Sequence, residues 1–321
     1  MMFRTLFGSI LALLAIATGA SAQDWPTRTI RAVVPFTAGS GSDIITRTIM
    51  EQLSKQLGQS IVVENRVGAG GTIGTAAVAK ADPDGYTILS ESSAHTSTPL
   101  IYKSLPYNVE DLATVAGVAS MPQVLVISPS KGIKTVQELV AYAKANRGKV
   151  TYASGGVGSA TQLSVEKFRL SAGFEGVHVP FKGGPEALTE VMTGRIDFYF
   201  LPVAPALPLI TEGKLIALAV STEKRASALP NVPTTAEAGL KDAAYAFWNG
   251  VFVPAKTPPP IVTRIYDETQ KALAVPSVQE RLLKVGQDPL PMSSAEFEKF
   301  FHDDVRATAK LMKEAGVQQV E

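Results

Sequence analysis

The sequence predicts an α/β fold in two lobes, each a mostly parallel sheet flanked by helices. Three observations lead there. Short β-branched runs alternate with helical stripes and Gly/Ser-rich turns, as in strand–helix–strand units over a parallel sheet. The alternation recurs in a second block in the middle of the chain. The first block, with three strands and two helices, is too small for a lobe, so C-terminal helices are expected to return and complete it. The predicted limits are residues 23–123 with 222–321 for one lobe and 124–221 for the other. Two lobes joined by two crossings can close on a ligand by a hinge motion.

The elements follow in order. Residues 29–35 (TIRAVVP) read as a strand ending at proline, and a Gly/Ser loop follows. Ile45, Ile49, Leu53 and Leu57 recur every four residues, so a helix follows the loop. Residues 60–64 form a second strand and 65–71 a turn-rich loop. An Ala-rich helix spans 72–80, Asp82-Pro83-Asp84-Gly85 turns the chain, and 86–89 is a third strand. Residues 90–98 read as a polar loop. Strands are expected at 124–128, 150–153, 176–180, 196–200 and 215–220. Helices are expected from the Thr135/Glu138 capping box to Asn146, and near 160–172. In the last third, Val262, Ile265, Tyr266 and Leu273 stripe one helix, and Ser293 with Glu296 caps another.

Residues 1–22 read as a secretory leader. Arg4 supplies the positive start, 6–17 an apolar run, and Ala20-Ser21-Ala22 the small-x-small pattern, with cleavage after Ala22. The run is shorter than the roughly 20 apolar residues that span a bilayer. The destination is a Gram-negative periplasm. The 321 residues carry 30 Lys+Arg against 29 Asp+Glu, which argues against a nucleic-acid binder. With no cysteine, thiol catalysis, zinc–thiolate sites and iron–sulfur clusters are excluded. The three histidines, His95, His178 and His302, have no metal-ligand spacing. No cofactor is expected.

Two loops carry the functional signal. The first contains Phe36, Thr37, Ser40, Gly41, Ser42 and Asp43; the second contains Ser154, Gly158, Ser159, Thr161 and Gln162. Each follows a strand and opens a helix. Ser42, Asp43 and Ser159 are natural N-cap residues, and a helix N-terminus offers unpaired N–H groups and partial positive charge. Each loop is therefore a candidate anion cradle. If the lobes face each other, one carboxylate can receive hydrogen bonds from both, each contributing roughly 1.5–3 kcal/mol. Ser92 and His95 lie after the third strand, where strand ends line ligand crevices. His178, in a strand-like segment, reads as a core residue, and Lys182 as either a turn lysine or a cleft neighbour. Gly68-Ala69-Gly70-Gly71-Thr72-Ile73 misses a dinucleotide fingerprint at Ile73, and there is no P-loop and no G-x-S-x-G elbow.

Trp25-Pro26, IRAVVPF at 30–36, VENRVGAGG at 63–71, DPDGY at 82–86, HVPFKG at 178–183, GKLIALAV at 213–220 and LPNVPTTAEAGL at 229–240 run the length of the chain. Together they resemble the tripartite tricarboxylate transporter receptors, the Bug or TctC-type extracytoplasmic solute-binding proteins. The resemblance implies a periplasmic-binding-protein type II (Venus flytrap) fold and a small carboxylate gripped by both loops, helped by ordered water. It also implies delivery to a two-subunit membrane permease by a monomeric receptor. Gln162 stands where the family often has histidine, Phe181 where it often has tyrosine, and Leu201 where many members carry aspartate. Leu201 cannot pair with an ammonium, so the expected ligand has no amino group: a dicarboxylate or an aromatic carboxylate.

Catalysis is not expected, because the loops supply hydroxyls and amides but no evident base. A hydrolase or transferase on the same architecture is one alternative. A sensing module for a membrane signalling protein is another.

Overall fold

The computed structural model describes residues 25–157, 159–181, 184–245, 247–317 and 319. The leader, Gly158 and Lys182 lie outside the described residues.

The first sheet starts with β1 (Ile30–Val34), α1 (Gly41–Leu57), β2 (Ile61–Asn65), α2 (Thr72–Ala79), β3 (Thr87–Ser92), α3 (Ala94–Ile101) and β4 (Leu112–Ser120). The chain then crosses into the second sheet. There it forms β5 (Gln123–Ile127), α4 (Val136–Ala145), β6 (Thr151–Ser154), α5 (Ala160–Ala172), β7 (Val177–Pro180), α6 (Gly184–Met192), β8 (Phe198–Pro202), α7 (Val203–Thr211) and β9 (Ile216–Val220). It returns through β10 (Trp248–Pro254), α8 (Pro259–Leu273), α9 (Pro276–Lys284), β11 (Asp288–Pro289) and α10 (Ser294–Ala315).

The sheet orders are β11-β4-β10-β3-β1-β2 and β7-β6-β8-β5-β9. Apart from β11 the two lobes share one plan. The loop-bearing strand, β1 or β6, pairs in parallel with an edge strand and with a third strand. The strand that follows each crossing, β10 or β5, inserts antiparallel beside the third strand. Apart from β11, the remaining strands of each sheet share a direction, but five of the nine strand pairings among the described residues are antiparallel, so the sheets are mixed rather than mostly parallel as the sequence predicts.

Burial on both faces explains the strand sequences. From β1, Ile30 and Ala32 pack with the Ile45, Ile49 and Leu53 stripe of α1, while Val33 joins Trp248, Phe252, Phe297 and Phe301 on the other face. From β8, Phe198 and Phe200 meet Leu139 and Phe168, while Tyr199 and Leu201 meet Val191 and Ala206. Both expected capping boxes are present, Thr135/Glu138 on α4 and Ser293/Glu296 on α10. α10 serves both lobes: Phe297 and Phe301 pack on the first sheet, and Leu311 and Met312 on Leu163 of α5.

Residues 90–98 are not a loop. β3 runs on to Ser92 and α3 begins at Ala94. Their hydroxyls look loop-like, but those of Thr96 and Thr98 are matched inside the fold: Thr96 donates to Asp304 Oδ2 at 2.9 Å and Thr98 to the Gly70 carbonyl at 3.4 Å.

Candidate functional site

Both loops open on the side where the chain crosses between sheets. In the first sheet, the ends of β3 and β4 register with the start of β10, Ser92 opposite Asn249 and Ser120 opposite Trp248. In the second, the ends of β8 and β9 register with the start of β5, Pro202 opposite Gln123 and Val220 opposite Val124. β1 and β6 run parallel to β3 and β8, so their loops leave the sheets on the same side, the side where ligands meet open α/β sheets. The lobes also touch there: Ala160 and Leu163 of α5 pack against Ile101 and Tyr102. Within the first lobe, Gln287 Nε2 reaches the Gly41 carbonyl at 3.4 Å.

In the first loop the cap is Ser40, not Ser42 or Asp43: its Oγ accepts from Asp43 N–H at 3.3 Å, and the helix starts at Gly41. Asp43 faces inward and holds the loop from behind. Its Oδ2 accepts from Gly39 N–H at 2.9 Å and Arg47 Nε at 3.0 Å, and its Oδ1 from Asn65 Nδ2 at 2.8 Å. The same Asn65 amide donates to the Phe36 carbonyl at 2.9 Å. Burial pushes the Asp43 carboxyl up, but these donors and the Arg47 charge together hold its pKa below the ordinary value. Gly39 turns at φ 80, which glycine adopts without strain. Thr37, Gly39 and Gly41 are exposed, Phe36 and Ser40 half-buried, and Ser42 buried. No described residue accepts from Gly41 or Ser42 N–H, the first two donors of α1.

The second loop repeats this scheme. Ser159 is the cap, as expected, and accepts from Gln162 N–H at 3.3 Å. Gly155 N–H donates to Thr161 Oγ1 at 2.9 Å and Gly156 N–H to Ser154 Oγ at 3.1 Å. The first N–H groups of α5, at Ala160 and Thr161, have no acceptor among the described residues. Ser154 and Gln162 point inward, and both reach His178. Ser154 Oγ lies 2.6 Å from Nε2 and Gln162 Nε2 lies 3.2 Å from Nδ1. No base is evident near these hydroxyls in the sequence, yet the fold sets a histidine beside a serine. The register Tyr152 opposite His178 brings it there, a pairing of β6 with β7 that no local motif announces.

The other expected residues stand back from the loops. Ser92 is buried and its Oγ accepts from Ala94 N–H at 3.2 Å. His95 is 1% exposed, its ring packed on Tyr107, Phe252 and Phe301, and neither nitrogen has a hydrogen-bond partner among the described residues. Burial brings its pKa down to about 4. Leu201 is buried in the core of the second lobe, and half-buried Phe181 donates its N–H to the Ser154 carbonyl at 3.0 Å. Sequence reasoning passed over Glu91, next to Ser92. It is fully buried without a cation, accepts from Thr75 Oγ1 at 2.7 Å, and burial raises its pKa to about 8. A groove of ≈ 820 Å³ lies on another part of the crossing region, floored by Trp248, Leu290 and Phe300, and no residue of either loop lines it. Among the described residues no group of His, Asp or Glu side chains could hold a metal ion.

The family model of the tripartite tricarboxylate transporter receptors matches residues 45–317. The chain belongs to that family. It is 34% identical over 314 residues to the protein BugT of Bordetella pertussis, covering 97% of this chain and 96% of BugT. Among solved structures, Rpa4515 of R. palustris with adipate superposes with a TM-score of 0.81 at 32% identity, covering 92% of this chain and all of that one. MatC from Rhodopseudomonas palustris with bound malate gives 0.75 at 29% identity, over 89% and 99% of the two chains. The chain is a solute-binding receptor of this type, and the family places it in the periplasm. No helix among the described residues is long and apolar enough to cross a membrane.

Proposed function

We propose that this receptor captures a small carboxylate without an amino group, a dicarboxylate or an aromatic carboxylate, between its two loops and delivers it to a two-subunit membrane permease. In this reading the lobes are residues 23–123 with 222–321 and residues 124–221, they act as a monomer, and the leader is cut after Ala22. The observation that carries the reading is the pair of unmatched N–H groups at each helix start, Gly41 and Ser42 on α1 and Ala160 and Thr161 on α5. Charged acceptors strengthen such bonds. Three or four of them supply the roughly 8 kcal/mol of micromolar binding after ordering costs. Adipate and malate, bound by relatives, are consistent with this chemistry. Asp43, Ser154 and Gln162 act by shaping the loops, while Phe36, Thr37, Ser40, Gly41, Ser42, Gly158, Ser159 and Thr161 form the ligand side. Ser92 and His95 support the floor, and Phe181 and Leu201 keep the second lobe's strand ends apolar.

In this reading the bound acid is released unchanged; the burial of Ser154, 0% exposed, supports that over a nucleophilic role. A thermal-shift screen of adipate, malate, benzoate, aspartate and glutamate tests it. One of the plain carboxylates should raise Tm most. A larger shift with aspartate or glutamate than with every plain acid refutes the amino-free ligand, and consumption of the bound acid refutes the receptor-only role.

A further inference from the structure

Each loop is tied from behind by a side chain of the neighbouring edge strand: Asn65 at the end of β2 for the first, His178 on β7 for the second. Asn65 has fixed donors. Histidine has two tautomers, and only one suits the bonds around it. The Gln162 amide is assigned with Nε2 toward His178 Nδ1, and in that orientation Nδ1 is the acceptor. The ring proton then sits on Nε2 and is donated to Ser154 Oγ. That oxygen also accepts from Gly156 N–H at 3.1 Å, and its own proton goes to the Gly156 carbonyl at 3.1 Å. Both ring nitrogens of His178 and the Ser154 hydroxyl are then matched.

The ring is held on its face as well. Tyr152 stacks on it at 5.1 Å and 13°. The Tyr152 hydroxyl is bonded to buried Glu166, which pairs with Arg169. These are the titratable groups that face His178.

We propose that His178 and Gln162 are positioning residues of the second anion cradle. Gln162 fixes the Nε2–H tautomer of His178, and His178 through Ser154 fixes the Gly155–Gly156 turn that lets Ala160 and Thr161 present their N–H groups. This rests on the carboxylate-cradle reading for its purpose, but not for its geometry. It gives a role to Gln162, whose side chain faces into the lobe rather than toward the ligand side of the loop. It also separates the Ser154–His178 pair from a catalytic one, since here histidine donates to serine rather than removing its proton.

Three measurements on the full chain test it. Imidazole ¹⁵N NMR, assigned with His178→Asn, should show Nε2 protonated and Nδ1 bare in the parent. An Nδ1–H form overturns the proposal whatever the ligand. Gln162→Leu leaves the ring stack intact and should populate the Nδ1–H form; an unchanged tautomer overturns it. In amide exchange, His178→Phe should speed Gly156 N–H roughly tenfold, the loss of about one hydrogen bond, and leave Gly39 N–H as in the parent; an unchanged Gly156 overturns it.

Calorimetry with adipate and malate then reads the cradle. Ser154→Ala and His178→Phe should each weaken binding roughly tenfold, and the double variant no more than either. Losses that multiply in the double variant overturn the path through Ser154. A parent that binds neither acid here and none of the plain carboxylates in the thermal-shift screen defeats the carboxylate reading, while the tautomer and exchange results still decide the positioning role. Labelling of Ser154 by a fluorophosphonate marks it as a nucleophile and overturns the proposal.

Discussion

Glu91→Gln should stabilise this protein, and the gain should grow with pH. Glu91 lies at the end of β3, fully buried, with Thr75 Oγ1 and Ser92 N–H as its donors and no cation in contact. Burial raises its pKa from 4.5 to about 8. In the unfolded chain the carboxyl loses its proton above pH 4.5; in the folded chain it keeps it until about pH 8. Between those values the folded state binds one proton more, so stability falls as pH rises, by about 1.36 kcal/mol per pH unit. The cost is absent below pH 4.5, about 3 kcal/mol at pH 7 and about 5 kcal/mol above pH 8. Glutamine stays neutral, keeps its one oxygen for Ser92 N–H, and can donate its amide to Thr75 Oγ1, a hydroxyl that accepts as well as donates. Urea unfolding of parent and variant at half-unit steps from pH 5 to 9 reads the difference directly, since other groups cancel. Near-equal stability at pH 5 and a widening gap to pH 8 are expected. A gap that does not change with pH refutes the buried neutral acid.

Two further substitutions probe the first lobe. Asp43→Asn removes the carboxylate that holds Gly39 and Arg47. Its native pKa is lowered, so the stability it gives is present above pH 3.8 and lost as pH falls below; the variant should unfold with about 1–3 kcal/mol less free energy at pH 7 and bind adipate more weakly, by urea titration and calorimetry. Gly74→Ala places a methyl 2.8 Å from both the Arg66 carbonyl and Pro35 Cβ. It should cost about 1–3 kcal/mol, read as a lower Tm.

Much of the lobe plan was legible because it is written in local patterns. The Ile45–Ile49–Leu53 stripe, the capping boxes at Thr135 and Ser293, and the Ser159 cap all specify their structure within a few residues. β4 and β10 were not legible. LATVAGVAS and WNGVFVP gain their strand state from pairing with each other across a chain separation that no local pattern encodes. Residues 90–98 failed for the reverse reason: their hydroxyls suggest solvent, and their partners, Asp304 and Gly70, lie far away in sequence. In the site, the loops that face outward were found from their glycines and caps. The groups that hold them, Asn65 and His178, come from neighbouring strands and were not.

The two loops reach the same end by different means, and the difference bears on how an anion is held. Arg47, the cation beside the first loop, is engaged by Asp43 and Asn65. In the proposed reading, the charge of a ligand is therefore met by neutral N–H groups and the two helix ends rather than by that cation. Such donors bind an anion well only when they already point at it, because turning a loose loop costs about 1–2 kcal/mol per residue ordered. The outward geometry thus depends on the inward bonds. A rigid amide–carboxylate anchor serves one lobe, and a tautomer-selected histidine serves the other. If the loops hold the ligand as proposed, the residues that touch it can be small and interchangeable, while the shape that makes them effective is set one layer below, by Asp43 and Asn65 in the first lobe and by Gln162, His178 and Ser154 in the second.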